Sequence, residues 1–178
     1  MKFSTYSESD RQEIESLFTR TFSDSEGEAE GKLIGNLVHE LMNGTKAEDI
    51  FGFVATEQGH IVGCIFFTRL SFGCSVNAFM LSPVAVVTGH QGKGVGQALI
   101  NFGIERLREQ DVELIFTYGD PNFYSKVGFK HVPQEVAAAP FKLTYPEGWL
   151  GQSLDGSRLE TPLGQACCVD AFNDLQYW

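Results

Sequence analysis

Three glycines recur at alternate positions in Gln91-Gly92-Lys93-Gly94-Val95-Gly96, behind an apolar run and ahead of a stretch with helical spacing. That placement aims backbone N–H groups at a helix N-terminus, where the first four amides lack internal partners and the macrodipole adds partial positive charge. Glycine lets a ligand approach the backbone closely, so the chemistry open to this segment is to cradle a phosphate or pyrophosphate. Two better-known phosphate loops are excluded. The Gly-x-Gly-x-x-Gly pattern fails because position 97 is Gln and position 99 is Leu, and no Gly-Lys-Ser/Thr follows a spaced glycine. A tight turn would also use glycine, but a strand on one side and a good helix on the other favour the anion cradle.

Other reactive residue types do not cluster. His39, His60, His90 and His131 are scattered, and His90, nearest the glycine loop, reads as a surface residue. Cys64, Cys74, Cys167 and Cys168 make no CxxC pair, and adjacent cysteines rarely bridge each other, so free thiols and no metal site are expected.

The elements that must hold the loop follow from periodicity. Lys2–Tyr6 reads as a short strand, and Ser9-Asp10-Arg11-Gln12 as a capping box ahead of a helix carrying Ile14, Leu17, Phe18 and Phe22. The acidic, glycine-broken stretch 23–31 reads as a loop or a frayed helix start. Leu33, Ile34, Leu37, Val38 and Leu41 form the stripe of a second helix, ended by Asn43-Gly44. Ile50–Thr56 and His60–Arg69 are β-rich runs joined by Gln58-Gly59, a hairpin signal. Asn77–Val87 is a third strand, and Pro83 inside it marks an edge, a bulge or a point where neighbours part. An amphipathic helix with Val95, Ala98, Leu99, Phe102 and Leu107 inward follows the glycine loop. Val112–Tyr118 reads as a strand, Pro121–Lys126 as a short helix and Phe129–Val132 as another strand. Ala137–Tyr145 and Gln165–Phe172 are further strand candidates around a turn-rich 146–157.

Length bounds the architecture. At 178 residues the chain suits one domain over 1–178, its core motifs in 51–132 and the segment 133–178 continuing the same domain. Lys and Arg number 13 against 23 Asp and Glu, a net charge of −10, which excludes a nucleic-acid partner that would need its phosphates neutralised. No apolar run approaches the ~20 residues that span a bilayer, and no signal peptide is visible, so neither a membrane nor export is expected and the chain reads as cytoplasmic.

The glycine segment fits the Gln/Arg-x-x-Gly-x-Gly/Ala signature of the GNAT superfamily of N-acetyltransferases, which this sequence resembles. Leu81-Ser82-Pro83-Val84-Ala85-Val86 looks like the strand that leads into that signature. Tyr124-Ser125-Lys126-Val127-Gly128-Phe129 is similar to the Tyr-x-x-x-Gly-Phe block that closes the family's cofactor site. The resemblance covers roughly residues 51–132. It implies an α/β (α+β) fold: a mixed central sheet flanked by helices, with the strands around Asn77–Val87 and Glu113–Tyr118 splaying apart.

In that reading acetyl-CoA is the cosubstrate. The backbone of Val84, Ala85 and Val86 pairs with its pantetheine arm. Amides of Gln91, Gly92, Lys93, Gly94, Val95 and Gly96 hold the pyrophosphate, with Gln97 just inside the helix. The implied activity moves the acetyl group to an amine of a small molecule or peptide, with CoA binding without catalysis, in a regulatory or degenerate member, as the alternative. Three needs follow: a neutral amine, a stabilised oxyanion and a proton for the departing thiolate. A backbone amide near the strand bulge, such as that of Val84, serves the second. Tyr124 matches the family tyrosine near the cofactor sulfur, and a phenol of ordinary pKa ~10 stays protonated at neutral pH and can donate. Glu26, Glu28 and Glu30 are candidates for the base, and their charge favours a cationic acceptor. Many members carry Asn seven residues before the tyrosine; this chain has Thr117 there. A monomer or homodimer is expected.

Overall fold

The computed structural model describes all residues of the chain except Arg158 and Glu160. It forms two compact units, Met1–Phe66 with Pro83–Gly103, and Phe67–Ser82 with Ile104–Trp178. Among the described residues seven strands pair in the order β1-β2-β3-β4-β5-β7-β6 in a mixed sheet, accompanied by helices, as the α/β reading requires.

The first unit opens on β1 (Lys2–Thr5), antiparallel to β2 (Ile50–Glu57) with Lys2 opposite Thr56. Helix α1 (Arg11–Glu26) buries Ile14, Leu17, Phe18 and Thr21, the spacing that faces one side of a helix to a core. The capping box lies two residues earlier than the sequence suggested. The Ser7 amide donates to Asp10 Oδ2 at 2.7 Å and the Ser7 hydroxyl to the same oxygen at 2.8 Å, closing a 3₁₀ turn ahead of α1.

The acidic stretch 23–31 is not a loop. Helix α1 runs to Glu26, Gly27 breaks it at φ 101°, and α2 (Glu28–Gly44) starts at once. The charged side chains of the stretch lie on two helix ends that meet at one glycine. Helix α2 buries Ile34, Leu37, Val38, Leu41 and Met42, and it approaches α1 closely where Gly31 and Gly35 face Thr19 and Ser23. Phe66, on the part of β3 (His60–Leu70) in this unit, packs on Phe18 at 6.0 Å and on Tyr6 at 5.6 Å. Phe102 of α3 (Val95–Arg108) touches Phe3 and Phe53 at 5.8 and 5.7 Å between centroids.

The second unit holds the start of β4 (Ala78–Val86), parallel to β5 (Leu114–Tyr118) over Ala78–Leu81 and Leu114–Thr117. Beyond β5 come the short helix α4 (Pro121–Tyr124), β6 (Lys130–His131) and β7 (Trp149–Ser153), which pairs antiparallel with both β5 and β6. The sequence placed strands at 137–145 and 165–172 and turns at 146–157. The structure reverses this: β7 lies inside 146–157, and only isolated bridges, Ala138 with Gln165 and Ser71 with Cys167, occur in the other two segments. The physical reason is the Trp149 side chain, fully buried and stacked on Phe116 at 5.3 Å, with Nε1 donating to Ala137 O at 2.9 Å. One buried indole outweighs the turn signals around it. Among the described residues no helix is long and apolar enough to cross a membrane.

Candidate active site

Strand β4 brings the candidate residues into place. Its ladder with β5 ends at Leu81 opposite Thr117, and residues 82–86 lie beyond that ladder. Pro83 stands there, where its missing donor removes no β5 bond. Val84 and Val86 are half-buried and Ala85 is buried. The strand closes with Val87 N donating to Val62 O at 2.9 Å.

A 3₁₀ turn, Thr88–His90, then leads into the glycine loop. Gly92 and Gly94 take φ +70° and +79°, a region L side chains rarely adopt, and a Cβ on either would meet nothing within 4 Å. Gln91, Gly92, Lys93 and Gly94 are exposed, and Gln91 Nε2 donates to Val86 O at 2.9 Å. Lys93 Nζ folds back onto Gly89 O at 2.8 Å, which still leaves ammonium protons for an anion. Helix α3 begins at Val95 and its first ladder bond runs from Ala98 N to Gly94 O. The amides of Val95, Gly96 and Gln97 precede that bond and form the open first turn. The first unit therefore joins the end of β4 to the glycine loop through the Gln91–Val86 bond, and the Cβ positions of its two left-handed glycines face open space.

Sequence reasoning missed what holds the loop's root. The Thr88 hydroxyl donates to Asp24 Oδ2 at 2.8 Å, tying the turn to α1. His90 Nε2 lies 2.8 Å from Glu57 Oε2, tying it to the end of β2. His90 is thus half-buried and paired rather than a plain surface residue. No local signal marks these partners, which are 64 and 33 residues away. The imidazole bond holds the Glu57 carboxyl below its ordinary value.

Tyr124 belongs to the second unit. It ends α4, whose N-cap Asp120 accepts from Asn122 N at 2.9 Å with Pro121 in the first turn. Its ring meets Phe123 and Phe129 edge-on at 5.0 and 5.7 Å. Gly128, at φ +93°, turns the chain so that Phe129 is buried and Phe129 N reaches Tyr124 O at 3.2 Å. The Tyr-x-x-x-Gly-Phe spacing is therefore a packing unit. Burial pushes the Tyr124 phenol above its ordinary value of 10, and a hydrogen bond with Thr117 opposes that rise by less.

Glu26 and Glu28 are exposed and Glu30 half-buried, and Glu28 pairs with Lys32 at 3.3 Å. None of the three lines the cavity of about 440 Å³ that runs along α1 to Val87 and Thr88. Its charged lining is Glu13, Arg20 and Asp24. Among the described residues no group of three or more His, Cys, Asp or Glu side chains is arranged to hold a metal.

Comparison with known proteins shows the family and the fold. Residues 48–131 match the family described as acetyltransferase (GNAT) domain. The uncharacterized N-acetyltransferase YjhQ of Escherichia coli is 31% identical over 168 residues, covering 91% of this chain and 88% of that protein. The crystal structure of the GNAT family N-acetyltransferase YhbS of Escherichia coli in complex with CoA superposes with TM-score 0.83 at 25% identity, covering 98% of this chain and 92% of that one. A GNAT family acetyltransferase of Brucella melitensis in complex with acetyl-CoA shares the fold at TM-score 0.75 and 24% identity, over 96% and 97% of the two chains. This chain belongs to the GNAT superfamily of N-acetyltransferases and is an acyltransferase.

Proposed function

We propose that the chain transfers the acetyl group of acetyl-CoA to a primary amine of a small molecule or peptide, with residues 1–178 acting as one catalytic domain. The observation that carries this reading is the exposed loop: two left-handed glycines whose Cβ positions are open, leading directly into the first turn of α3. The amides of Gln91, Gly92, Lys93, Gly94, Val95, Gly96 and Gln97 hold the pyrophosphate, where helix-end dipole and N–H groups act together. The β4 backbone at Val84, Ala85 and Val86 receives the pantetheine arm, and the Val84 amide polarises the thioester carbonyl. The bound thioester supplies an activated acyl group and a thiolate leaving group. Tyr124 keeps a proton at Oη, which burial makes harder to lose to solvent, and gives it to the departing sulfur. Fixing both reactants in one groove supplies much of the acceleration.

A cationic acceptor is favoured by the net charge of −10 and by Glu13 and Asp24 in the cavity beside Thr88, against Arg20 alone. Glu26, Glu28 and Glu30 are the candidates to take the amine's proton. The four free cysteines suit a reducing compartment, and a cytoplasmic monomer or homodimer completes the reading. Incubation with acetyl-CoA and a panel of amines, followed by thiol release and mass spectrometry of the amine, tests the proposal. An acetylated amine formed in step with free thiol supports it. CoA binding without transfer to any amine would favour a regulatory, non-catalytic member.

A further inference from the structure

The side chains of the cradle hold it only to the turn and strand end before it: Gln91 Nε2 donates to Val86 O and Lys93 Nζ to Gly89 O. Gly92 and Gly94 stand in open space, so the direction in which their amides point is inherited from the turn before them. That turn, Thr88–His90, is tied to the fold at three places. Val87 N donates to Val62 O at 2.9 Å, fixing the strand end. Thr88 Oγ1 donates to Asp24 Oδ2 at 2.8 Å. His90 Nε2 meets Glu57 Oε2 at 2.8 Å and lies next to Gln91, the first loop residue. A carboxylate only accepts, so Nε2 carries the proton, and Nδ1 is left buried without a partner among the described residues. Glu57 is the last residue of β2, immediately before the hairpin turn in which Gln58 takes φ +51°. The His90 ring is thus braced against the rigid end of a strand at one nitrogen only, and losing that bond would free it.

We infer that His90 is a positioning residue of the phosphate cradle, acting through its hydrogen bond to Glu57 to hold Gln91 and the loop amides in register for the pyrophosphate. The inference rests on the acetyl-CoA reading above. Its loss is felt as weaker binding rather than as unfolding, because the Glu57 side chain is 42% exposed and the pair lies at the surface end of the strand.

The experiment measures CoA affinity by calorimetry, and melting temperature, for the wild type, His90→Ala, Glu57→Ala, the double variant, Glu57→Gln and Gly94→Glu. Each alanine variant is expected to weaken CoA about tenfold, in the range of one charge-assisted hydrogen bond. The double variant is expected to be no weaker than either single, since one bond is removed in all three. Glu57→Gln keeps an acceptor oxygen for Nε2 and is expected to stay within twofold of wild type. CoA binding unchanged in both alanine variants, while Gly94→Glu abolishes it, would overturn the inference and leave the cofactor reading standing. Additive losses in the double variant, or a Glu57→Gln loss as large as Glu57→Ala, would overturn it equally. A wild type that does not bind CoA would overturn the cofactor reading and this inference with it.

Discussion

Thr117 links the Tyr124 phenol to the β4 backbone through a chain of two hydrogen bonds. Thr117 Oγ1, fully buried, donates to Leu81 O at 2.8 Å and also hydrogen-bonds Tyr124. While the phenol is protonated, Tyr124 donates to Thr117 and Thr117 to Leu81. A phenolate would instead accept the Thr117 proton, the direction in which Thr117 lowers the phenol's value. In this resting arrangement the one phenol proton points at Thr117, so the acid role requires the hydroxyl to turn from Thr117 to the sulfur.

This arrangement sets the first prediction. Tyr124→Phe keeps the ring and its contacts with Phe123 and Phe129 while removing the donor. Turnover is expected to fall roughly 10²–10⁴-fold with the KM for acetyl-CoA nearly constant, the signature of an interaction made in the transition state. Thr117→Val should cost less in turnover, but it removes a buried hydrogen bond to Leu81 O and should lower stability by about 1 kcal/mol. A Phe variant fully active in a single-turnover measurement would remove the acid role.

The pH dependence follows from the direction of the Tyr124 shift. Its folded value lies above the ordinary 10, so the proton is present at every pH below that and the acid contribution stays flat through neutrality. The stability that comes from keeping the phenol neutral is present below pH 10 and is lost as pH climbs through the raised folded value. A turnover profile should therefore show no alkaline fall attributable to this residue below about 10. A fall near pH ~8 that disappears in Tyr124→Phe would contradict the raised value of the phenol while keeping it as the acid.

The glycine loop, both motif blocks and most strands were legible in the sequence because each is written in local residue types: glycine at alternate positions, continuous β-rich runs around Gln58-Gly59 in β2 and β3, helical spacing in α1 to α3. The C-terminal third was not. Strand β7 is specified by burial of Trp149 against Phe116, a contact between distant positions that turn residues at 146–157 obscured. The acidic stretch misled for a related reason, since Gly31 reads as a helix breaker until Thr19 and Ser23 are seen lying against it. Thr88–Asp24 and His90–Glu57 join residues far apart in sequence and carry no local signature.

Close approach of α1 and α2 gives a stability prediction. A Cβ on Gly31 would lie 2.5 Å from Thr19 O as well as against Ser23 Oγ, and backbone cannot swing away. Gly31→Ala should destabilise by about 2 kcal/mol despite the better helix propensity of alanine. Gly44, at the end of α2, has nothing within 4 Å of the place a Cβ would occupy, so Gly44→Ala should be neutral or stabilising by up to ~1 kcal/mol. Chemical denaturation of the two variants checks the contrast, and equal midpoints would refute it.

Charge near the α1–α2 junction gives another. Replacing Glu26, Glu28 and Glu30 with glutamine should raise the KM for a cationic amine several-fold and flatten its dependence on ionic strength, because attraction between exposed charges is screened within about 10 Å at ~0.1 M salt. Rates indifferent both to salt and to the triple replacement would place acceptor recruitment elsewhere.

Calorimetric titration of CoA into matched Gly94 variants asks whether the loop at Gln91–Gly96 holds the pyrophosphate of acetyl-CoA, on which every other assignment depends. Gly94→Ala and Gly94→Glu share the strain of a side chain at φ +79°, so their difference reports what the added carboxylate does to an anion at the cradle. With the pyrophosphate on these amides, Gly94→Ala still binds CoA, weakened by no more than about tenfold for roughly 1–2 kcal/mol of backbone strain, whereas Gly94→Glu shows no measurable binding although it folds. Equal CoA affinity in the alanine and glutamate variants would contradict it.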